Sequence, residues 1–565
     1  LPRYLVNDKL RAGGMMKRAL LPGTTVTVLL LLVAMPMLFV LLQAVFPALA
    51  QGSLAKPFSA FPVLLADPTL FRQLSDTLCV GGGVALVSAV LGIPLGALRG
   101  LFALPYARLW DLLFLIPFLL PPYIAALSWM LALQPSGYLE QLLPIRLSGL
   151  LFSLPGVILV MSLNIFPVVY FAVSRSMAAA GSRLAEVARV HGAGPWCAFW
   201  RITLPLAAPA IAASVLLAFT LAIEEYGVPA ALGARAGVLV LTSGIEQRLA
   251  DWPIDLTGAA ILSLILVGLA LSAFWLQRAI AGSMQVETTT GKPVTISIRS
   301  LGSWRWPVVM LLSIVALLAA GLPLASMLAT AFSATLSGGL SWSNITLGHF
   351  TPLLEPDNDA FSALSTSLSL ALGAAFLTGV IGFLAAWLVV GKRVRGAVLI
   401  DVLSLLPAAL PGIVVGVGLI LAWNRSFWPL SPYNTWGILL LAYSCVLLPY
   451  PVRYASAALR QIGGNVEAAA RVHGASPLQA LQWVMLPLVF PSLLAAAMLV
   501  FAVSVRELVT SLLLSPAGVQ TVSVFVWRQF EQGSVGDGMA MASVAVVLSL
   551  TVMLLAMRLH QRHNG

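Results

Sequence analysis

Glu186-Val187-Ala188-Arg189-Val190-His191-Gly192-Ala193, followed by Ile202-Thr203-Leu204-Pro205, returns later in the chain as Ala468-Ala469-Ala470-Arg471-Val472-His473-Gly474-Ala475, followed by Val484-Met485-Leu486-Pro487. The internal spacing is the same in both copies. A match that covers loops as well as helices marks a duplicated structural unit rather than chance likeness between apolar segments. A second anchor pairs Asp111, Pro117 and Pro121 with Asp401, Pro407 and Pro411. Its offset is slightly larger, which places extra residues of the first half in the loop around Gln134 to Gly149.

The surroundings of the repeat are apolar. Hydrophobic residues make up 60% of the 565, charged residues only 9%, and the mean hydropathy is +0.98, more than the cores of a soluble protein can bury. Runs long enough to cross about 30 Å of hydrocarbon recur along the chain. In the first half they lie near 24–48, 75–98, 109–133, 151–173, 206–228 and 256–278, and in the second near 307–331, 366–390, 400–423, 437–457, 488–513 and 538–557. The predicted fold class is all-α: a polytopic membrane protein with about twelve transmembrane helices in two pseudo-symmetric halves around one central route. The expected divisions are an N-terminal segment (1–23), a first half (24–279), a polar, Thr-rich linker (280–305), a second half (306–558) and a tail (559–565). The first run ends in Ala48-Leu49-Ala50, which mimics a signal-peptidase site. Its apolar core exceeds the roughly 7–15 residues of a cleavable signal, so it reads as a retained span.

The formal charge is +11, yet the Lys and Arg residues sit in short segments between apolar runs, which argues for a lipid bilayer and against nucleic acid as the partner. One set of loops holds Lys17, Arg18, Arg99, Arg108, Arg175, Arg183, Arg189, Arg201, Arg278, Arg299, Arg305, Lys392, Arg393, Arg395, Arg453, Arg460, Arg471, Arg558 and Arg562; the opposite set holds few, Lys56, Arg72, Arg146, Arg235, Arg248, Arg425 and Arg528. The positive-inside bias then puts both termini and both repeated motifs on the cytoplasmic side of the membrane. Cys79 and Cys445 lie in apolar runs and Cys197 in a basic loop, so none is placed for a disulfide or a metal.

Within the first motif, Leu184, Val187, Ala188 and His191 recur at helical spacing and predict a short amphipathic helix. Gly192 and Gly474 suit the left-handed turn that ends such a helix. Pro195 and Pro477 then restart one, with Ser476 a good N-cap in the second copy. Each loop is thus a helix, a turn and a second helix leading into the next span, a rigid element able to pass a push into the membrane.

With these residues the chain resembles the permeases of binding-protein-dependent ABC importers, whose cytoplasmic loop carries Glu-Ala-Ala, a following Gly and then Ile-x-Leu-Pro. Glu186, Ala188, Gly192, Ile202, Leu204 and Pro205 fit that pattern, as do Ala469, Ala470, Gly474, Leu486 and Pro487; Ala468 stands where the acid belongs, with Glu467 one residue earlier. The resemblance implies that Glu186, Ala188, Arg189, Gly192, Pro195, Leu204 and Pro205, with Glu467, Ala469, Arg471, Gly474, Pro477, Leu486 and Pro487, dock two copies of a cytoplasmic ATPase. It also implies delivery of the solute by a periplasmic binding protein. No Gly-x-x-x-x-Gly-Lys-Ser/Thr run is present; Gly391-Lys392 is the nearest fragment. ATP and Mg are accordingly expected on the partner ATPase, with no cofactor, metal or catalytic group on this chain.

Ionisable residues inside spans are costly and mark candidate routes. Glu224, Glu225 and Tyr226 fall late in the fifth run of the first half, Arg506 and Glu507 at the same place in the second. They are read either as route or gate groups or as helix-to-helix hydrogen bonding near a water interface. Asp111 and Asp401, at the starts of the third runs, read as helix N-terminal stabilisation. The stretches Glu224 to Pro229 and Arg506 to Leu514 look like those of fused ferric-iron permeases, a group similar to thiamine, 2-aminoethylphosphonate, sulfate and polyamine permeases. Two other classes remain. An ion-coupled secondary transporter would bind its ion near the midplane without paired docking loops, and an intramembrane enzyme would need a catalytic constellation that is not found.

Overall fold

The computed structural model describes residues 21–143, 145–180, 187–188, 190–283, 300–391, 394 and 396–564. Arg183, Leu184, Glu186, Arg189, Lys392, Arg393, Arg395 and most of the expected linker lie outside the described residues. Among the described residues the named elements are all helices, with isolated bridge residues such as Ser333, paired with Ile345, between them. Nine helices there are long and apolar enough to span a membrane, and three bent pairs raise the total to as many as twelve.

The third run of each half does not cross straight. Ala107–Leu119 meets the following helix at 96°, and Ala397–Ala409 meets Gly412–Trp423 at 117°. The cause is local. Leu120 and Leu410 each precede a proline, which drives them from helical to extended backbone, with ψ of 127° and 126°. A broken helix in hydrocarbon leaves carbonyls that need new donors. In the first half Asn164, buried in Leu154–Ala180, supplies them: its amide donates to Pro117 O and Leu120 O.

Asp111 differs from the expectation of helix N-terminal stabilisation. It takes a forked contact from Arg99 (Nε at 3.0 and 3.1 Å, Nη2 at 2.8 Å) and accepts from the Tyr170 hydroxyl at 2.8 Å. The carboxylate therefore ties three helices, Pro68–Leu101, Ala107–Leu119 and Leu154–Ala180, by charge-assisted bonds. Asp401 makes no such contact among the described residues; its backbone carbonyl accepts from Ser404.

Spatially the chain forms two compact units, and neither coincides with a sequence half. One comprises Leu1–Phe58, Glu355–Phe525 and Val547–Gly565; the other comprises Ser59–Leu354 and Val526–Val546. In the first unit, Met35–Val45 of the first half packs on Gly412–Trp423 of the second. The approach is so close that a Cβ on Gly418 would stand 2.8 Å from Pro36 O. Arg425 fastens the same seam, with Nε donating to Leu421 O and Nη1 to Leu49 O, both at 2.8 Å, and its guanidinium 5.4 Å from the Phe39 ring centre. Arg425→Ala removes two charge-assisted bonds of about 1.5–3 kcal/mol each. The purified protein should melt at a lower temperature, with Arg425→Lys recovering only part; an unchanged Tm in the alanine variant would show that the seam does not need it.

The second unit mirrors this exchange. Leu322–Ala331, from the first span of the second half, packs on Pro122–Leu133 of the first, and Tyr138 and Thr330 hydroxyls meet at 2.9 Å. Its centre is the contact of Pro68–Leu101 with Leu154–Ala180. There Gly92, Gly96 and Gly100 repeat at one-turn spacing and let two backbones touch, as small residues do between helices in lipid.

Candidate functional site

The two repeated motifs form closely matching backbone structures. Val187, Ala188 and Val190 are helical, and in the second half Gly464–Val472 is a helix. Both helices end on a glycine with left-handed φ, +89° at Gly192 and +90° at Gly474. The chain then turns back, so that Ala193 N–H donates to Ala188 O (2.9 Å) and Ala475 N–H to Ala470 O (3.1 Å), bonds that satisfy carbonyls left open at a helix end. His191 and His473 reinforce the turn: their Nδ1 atoms lie 2.8 and 2.9 Å from the carbonyls of Val187 and Ala469. Of the amphipathic helix expected from Leu184, Val187, Ala188 and His191, Leu184 lies outside the described residues, and the valines that are described point outward. Val190 and Val472 are each 85% exposed, and Val187 is exposed as well.

After the turn, Pro195 and Pro477 open short helices, Pro195–Ala198 and Pro477–Ala480. Ser476 completes a reciprocal cap with Gln479, its Oγ accepting from Gln479 N–H (3.3 Å) while Gln479 Oε1 accepts from Ser476 N–H (2.8 Å). Gly194 has no side chain to do this. One wide π turn follows in each copy, Phe199–Thr203 and Leu481–Met485, and flows without a break into the helices that begin at Leu204-Pro205 and Leu486-Pro487. The spans are therefore continuous from Pro195 to Glu224 and from Pro477 to Ser504. A force on either loop is delivered to a whole transmembrane helix. Glu467 is half-buried in its helix, whereas Ala468, Ala469 and Arg471 are exposed.

The other candidate residues gather where these spans end. Glu224 is the last residue of its helix, and its buried Oε1 has no hydrogen-bond partner among the described residues. Glu225 is extended; its Oε1 accepts from Gly227 N–H at 2.8 Å and its carbonyl from Thr242 Oγ1 at 3.1 Å. Glu507 does the matching job in the second half, accepting from the N–H and hydroxyl of Thr510, both at 3.2 Å. The aligned pair thus folds the break after each span. Arg506 is half-buried beside Glu507. Tyr226 is buried, its ring centre 6.4 Å from that of Trp527, and the Trp527 indole donates to Glu531 at 2.8 Å. Close by, burial and then the charges of Asp251 and Glu531 hold Glu246 above the usual carboxylate range. No group of three or more His, Cys, Asp or Glu able to hold a metal ion occurs among the described residues.

Arg99, Tyr170, Asn164 and Arg425 escaped sequence reasoning. Arg99 and Tyr170 bond to Asp111, a residue read for another role, and Asn164 and Arg425 bond to backbone carbonyls of other segments.

A family model for the inner membrane component of binding-protein-dependent transport systems matches residues 88–286 and again 378–564. The chain is similar to the ferric transport system permease protein FbpB of Actinobacillus pleuropneumoniae, with 24% identity over 498 residues covering 87% of this chain and 71% of the relative. It is similar to the Fe(3+)-transport system permease protein FbpB 2 of Haemophilus influenzae, with 24% identity over 531 residues covering 94% and 97%. Over 241 residues it is 30% identical to the putative 2-aminoethylphosphonate transport system permease protein PhnV of Salmonella typhimurium, covering 43% of this chain and 89% of that one. Each family match contains one of the two matching loops, and the chain therefore belongs to the inner membrane components of binding-protein-dependent transport systems, as an ABC importer permease with two family domains fused in one polypeptide.

Proposed function

We propose that this permease moves ferric iron into the cytoplasm, with one copy of an ATPase on each of its two loops and both termini on the cytoplasmic side. The observation that carries the coupling part is the twin helix–turn–helix, closed by glycines at φ +89° and +90° and continuous with a span in each half. Two equal levers on one chain call for two equal motors. Closure of the ATPase pair on ATP draws the loops together, tilts the attached spans and opens the route to a loaded periplasmic binding protein; hydrolysis resets it. Glu186, Arg189 and the exposed Val187 and Val190 face one ATPase in this reading, and Arg471 and Val472 the other. Glu224, Glu225, Tyr226, Arg506 and Glu507 belong to the outer end of the moving spans.

Iron as cargo is supported by similarity along nearly the whole length to two relatives named for ferric transport. The similarity of one half to a relative named for 2-aminoethylphosphonate favours that solute as the second reading. The deciding experiment reconstitutes the permease in vesicles with its cognate ATPase and binding protein and follows radiolabelled ferric iron and 2-aminoethylphosphonate. ATP-dependent iron uptake that needs the binding protein is expected. Uptake on an ion gradient without ATP would remove the importer mechanism, and uptake of the phosphonate alone would replace the cargo.

A further inference from the structure

In the unit built on the first half, the helices Leu154–Ala180, Leu204–Glu224 and Leu256–Ser283 enclose an open groove of about 520 Å³. It exists because Ala172, Ala210 and Ala213 are too small to fill the space between the larger Val168, Phe171 and Leu217. From Val168 to Arg175 it follows its helix for about 10 Å, at a rise of 1.5 Å per residue. The other polar groups in its lining are already engaged: Gln277 Nε2 donates to Ala213 O at 3.1 Å, and Ser214 Oγ donates to Ile211 O at 2.8 Å. Arg175 differs. It stands exposed at the mouth with no carboxylate or hydrogen-bond partner among the described residues, and Arg278, next to Gln277, is likewise exposed and unpaired.

Such a surface suits neither water nor a hydrated solute. Water in an apolar groove has too few partners to stay, and the walls offer no ligand to a polar cargo. Hydrocarbon supplies the missing dispersion contacts, while a guanidinium at the membrane surface is a forked donor for phosphate. We propose that this groove binds one anionic phospholipid of the inner leaflet, with its phosphate on Arg175 and an acyl chain along Val168, Phe171 and Leu217. The choice of leaflet rests on the orientation under Proposed function; the choice of an anionic headgroup rests on Arg175, which has no partner among the described residues, and on a lining that includes no carboxylate. The duplication does not repeat the site. In the register set by the paired loops, Arg175 corresponds to Ala457 and Phe171 to Arg453, so the groove is a property of one half and not a requirement of the symmetric machine. Its occupant would touch the helix Leu204–Glu224, the span that carries the first loop's movement.

The test uses the full chain in detergent, stripped of lipid, with phosphatidylglycerol or phosphatidylcholine added back and binding read by native mass spectrometry and thermal shift. Phosphatidylglycerol is expected to bind one molecule per chain more tightly than the rest and to raise Tm more than phosphatidylcholine. Arg175→Gln should weaken that molecule about ten-fold, the loss of one strong charge-assisted contact. Arg175→Lys should fall between. Ala213→Phe, which fills the groove and leaves Arg175 in place, should remove the tight molecule altogether. Equal stabilisation by the two lipids, or tight binding unchanged in both Arg175→Gln and Ala213→Phe, overturns the proposal. So does an Arg175→Gln variant that binds phosphatidylglycerol normally but transports poorly, because the groove would then belong to the solute route. The binding and thermal-shift readouts do not need the ATPase, so loss of the importer mechanism would leave the lipid result standing.

Discussion

Gly96→Leu should abolish recovery of folded permease from membranes. A Cβ at Gly96 would stand 2.7 Å from Tyr170 O and 2.9 Å from the Val173 side chain, and Gly92 and Gly100, a turn to either side, meet Val169 and Ser174 O at 2.7 and 2.6 Å. The obstacle is backbone, which cannot rotate aside as a side chain does. The penalty therefore exceeds the about 1–3 kcal/mol of ordinary overpacking. Separating these helices would also pull Tyr170 away from the carboxylate of Asp111 that Arg99 holds. Gly82→Leu on the same helix is the control, since nothing lies within 4 Å of its added Cβ. Size-exclusion profiles of the solubilised proteins should show a monodisperse peak for Gly82→Leu and aggregate or nothing for Gly96→Leu. A normal peak for Gly96→Leu would mean that the two helices are not in backbone contact.

Gly474→Val should leave a folded protein that no longer couples ATP turnover to uptake. No atom lies within 4 Å of the added Cβ, so packing is not at issue. The cost is conformational: at φ +90° a β-branched residue is strained by about 1–3 kcal/mol, and the turn relaxes by swinging Gly464–Val472 away from Pro477–Ala480. Because the loop runs unbroken into the span from Pro477 to Ser504, a displaced loop misdirects the stroke. Uptake is expected to fall at least about ten-fold, a loss of 1.4 kcal/mol or more in the coupled step, while basal ATPase activity persists without stimulation by loaded binding protein. Gly474→Asn should retain much of the uptake, since asparagine tolerates left-handed backbone. Gly192→Val should behave like Gly474→Val. Full uptake in both valine variants would show that these turns are not the levers.

Much of this molecule was legible from residues alone because its signals are local. Apolar runs mark the spans, and a glycine after Val-His with a proline soon after marks the loop geometry; φ values of +89° and +90° are what that pattern requires. The prolines after Leu120 and Leu410 were visible too, but not that they turn the chain by 96° and 117°. The turn depends on whether distant groups rescue the freed carbonyls, as Asn164 does for Pro117 and Leu120. Asp111 was read by its place in a helix, whereas its partners came from two other helices. Glu225 and Glu507 drew attention as charges in apolar runs, read either as route or gate groups or as hydrogen bonding near a water interface; in the structure each accepts from a donor two or three residues on, where the chain restarts after its span.

The sequence by itself determined that the chain is duplicated, rich in apolar spans suited to lipid and furnished with two matching loops, since periodicity, composition and turn chemistry act within a few residues. Only the tertiary structure decided which helices are neighbours: that each half lends its first span to the other's core, and that Gly92, Gly96 and Gly100 mark a seam where two backbones touch. In hydrocarbon every apolar face is equally content, so the choice among partners falls to small residues that admit a close approach and to a few polar atoms that find each other across the chain.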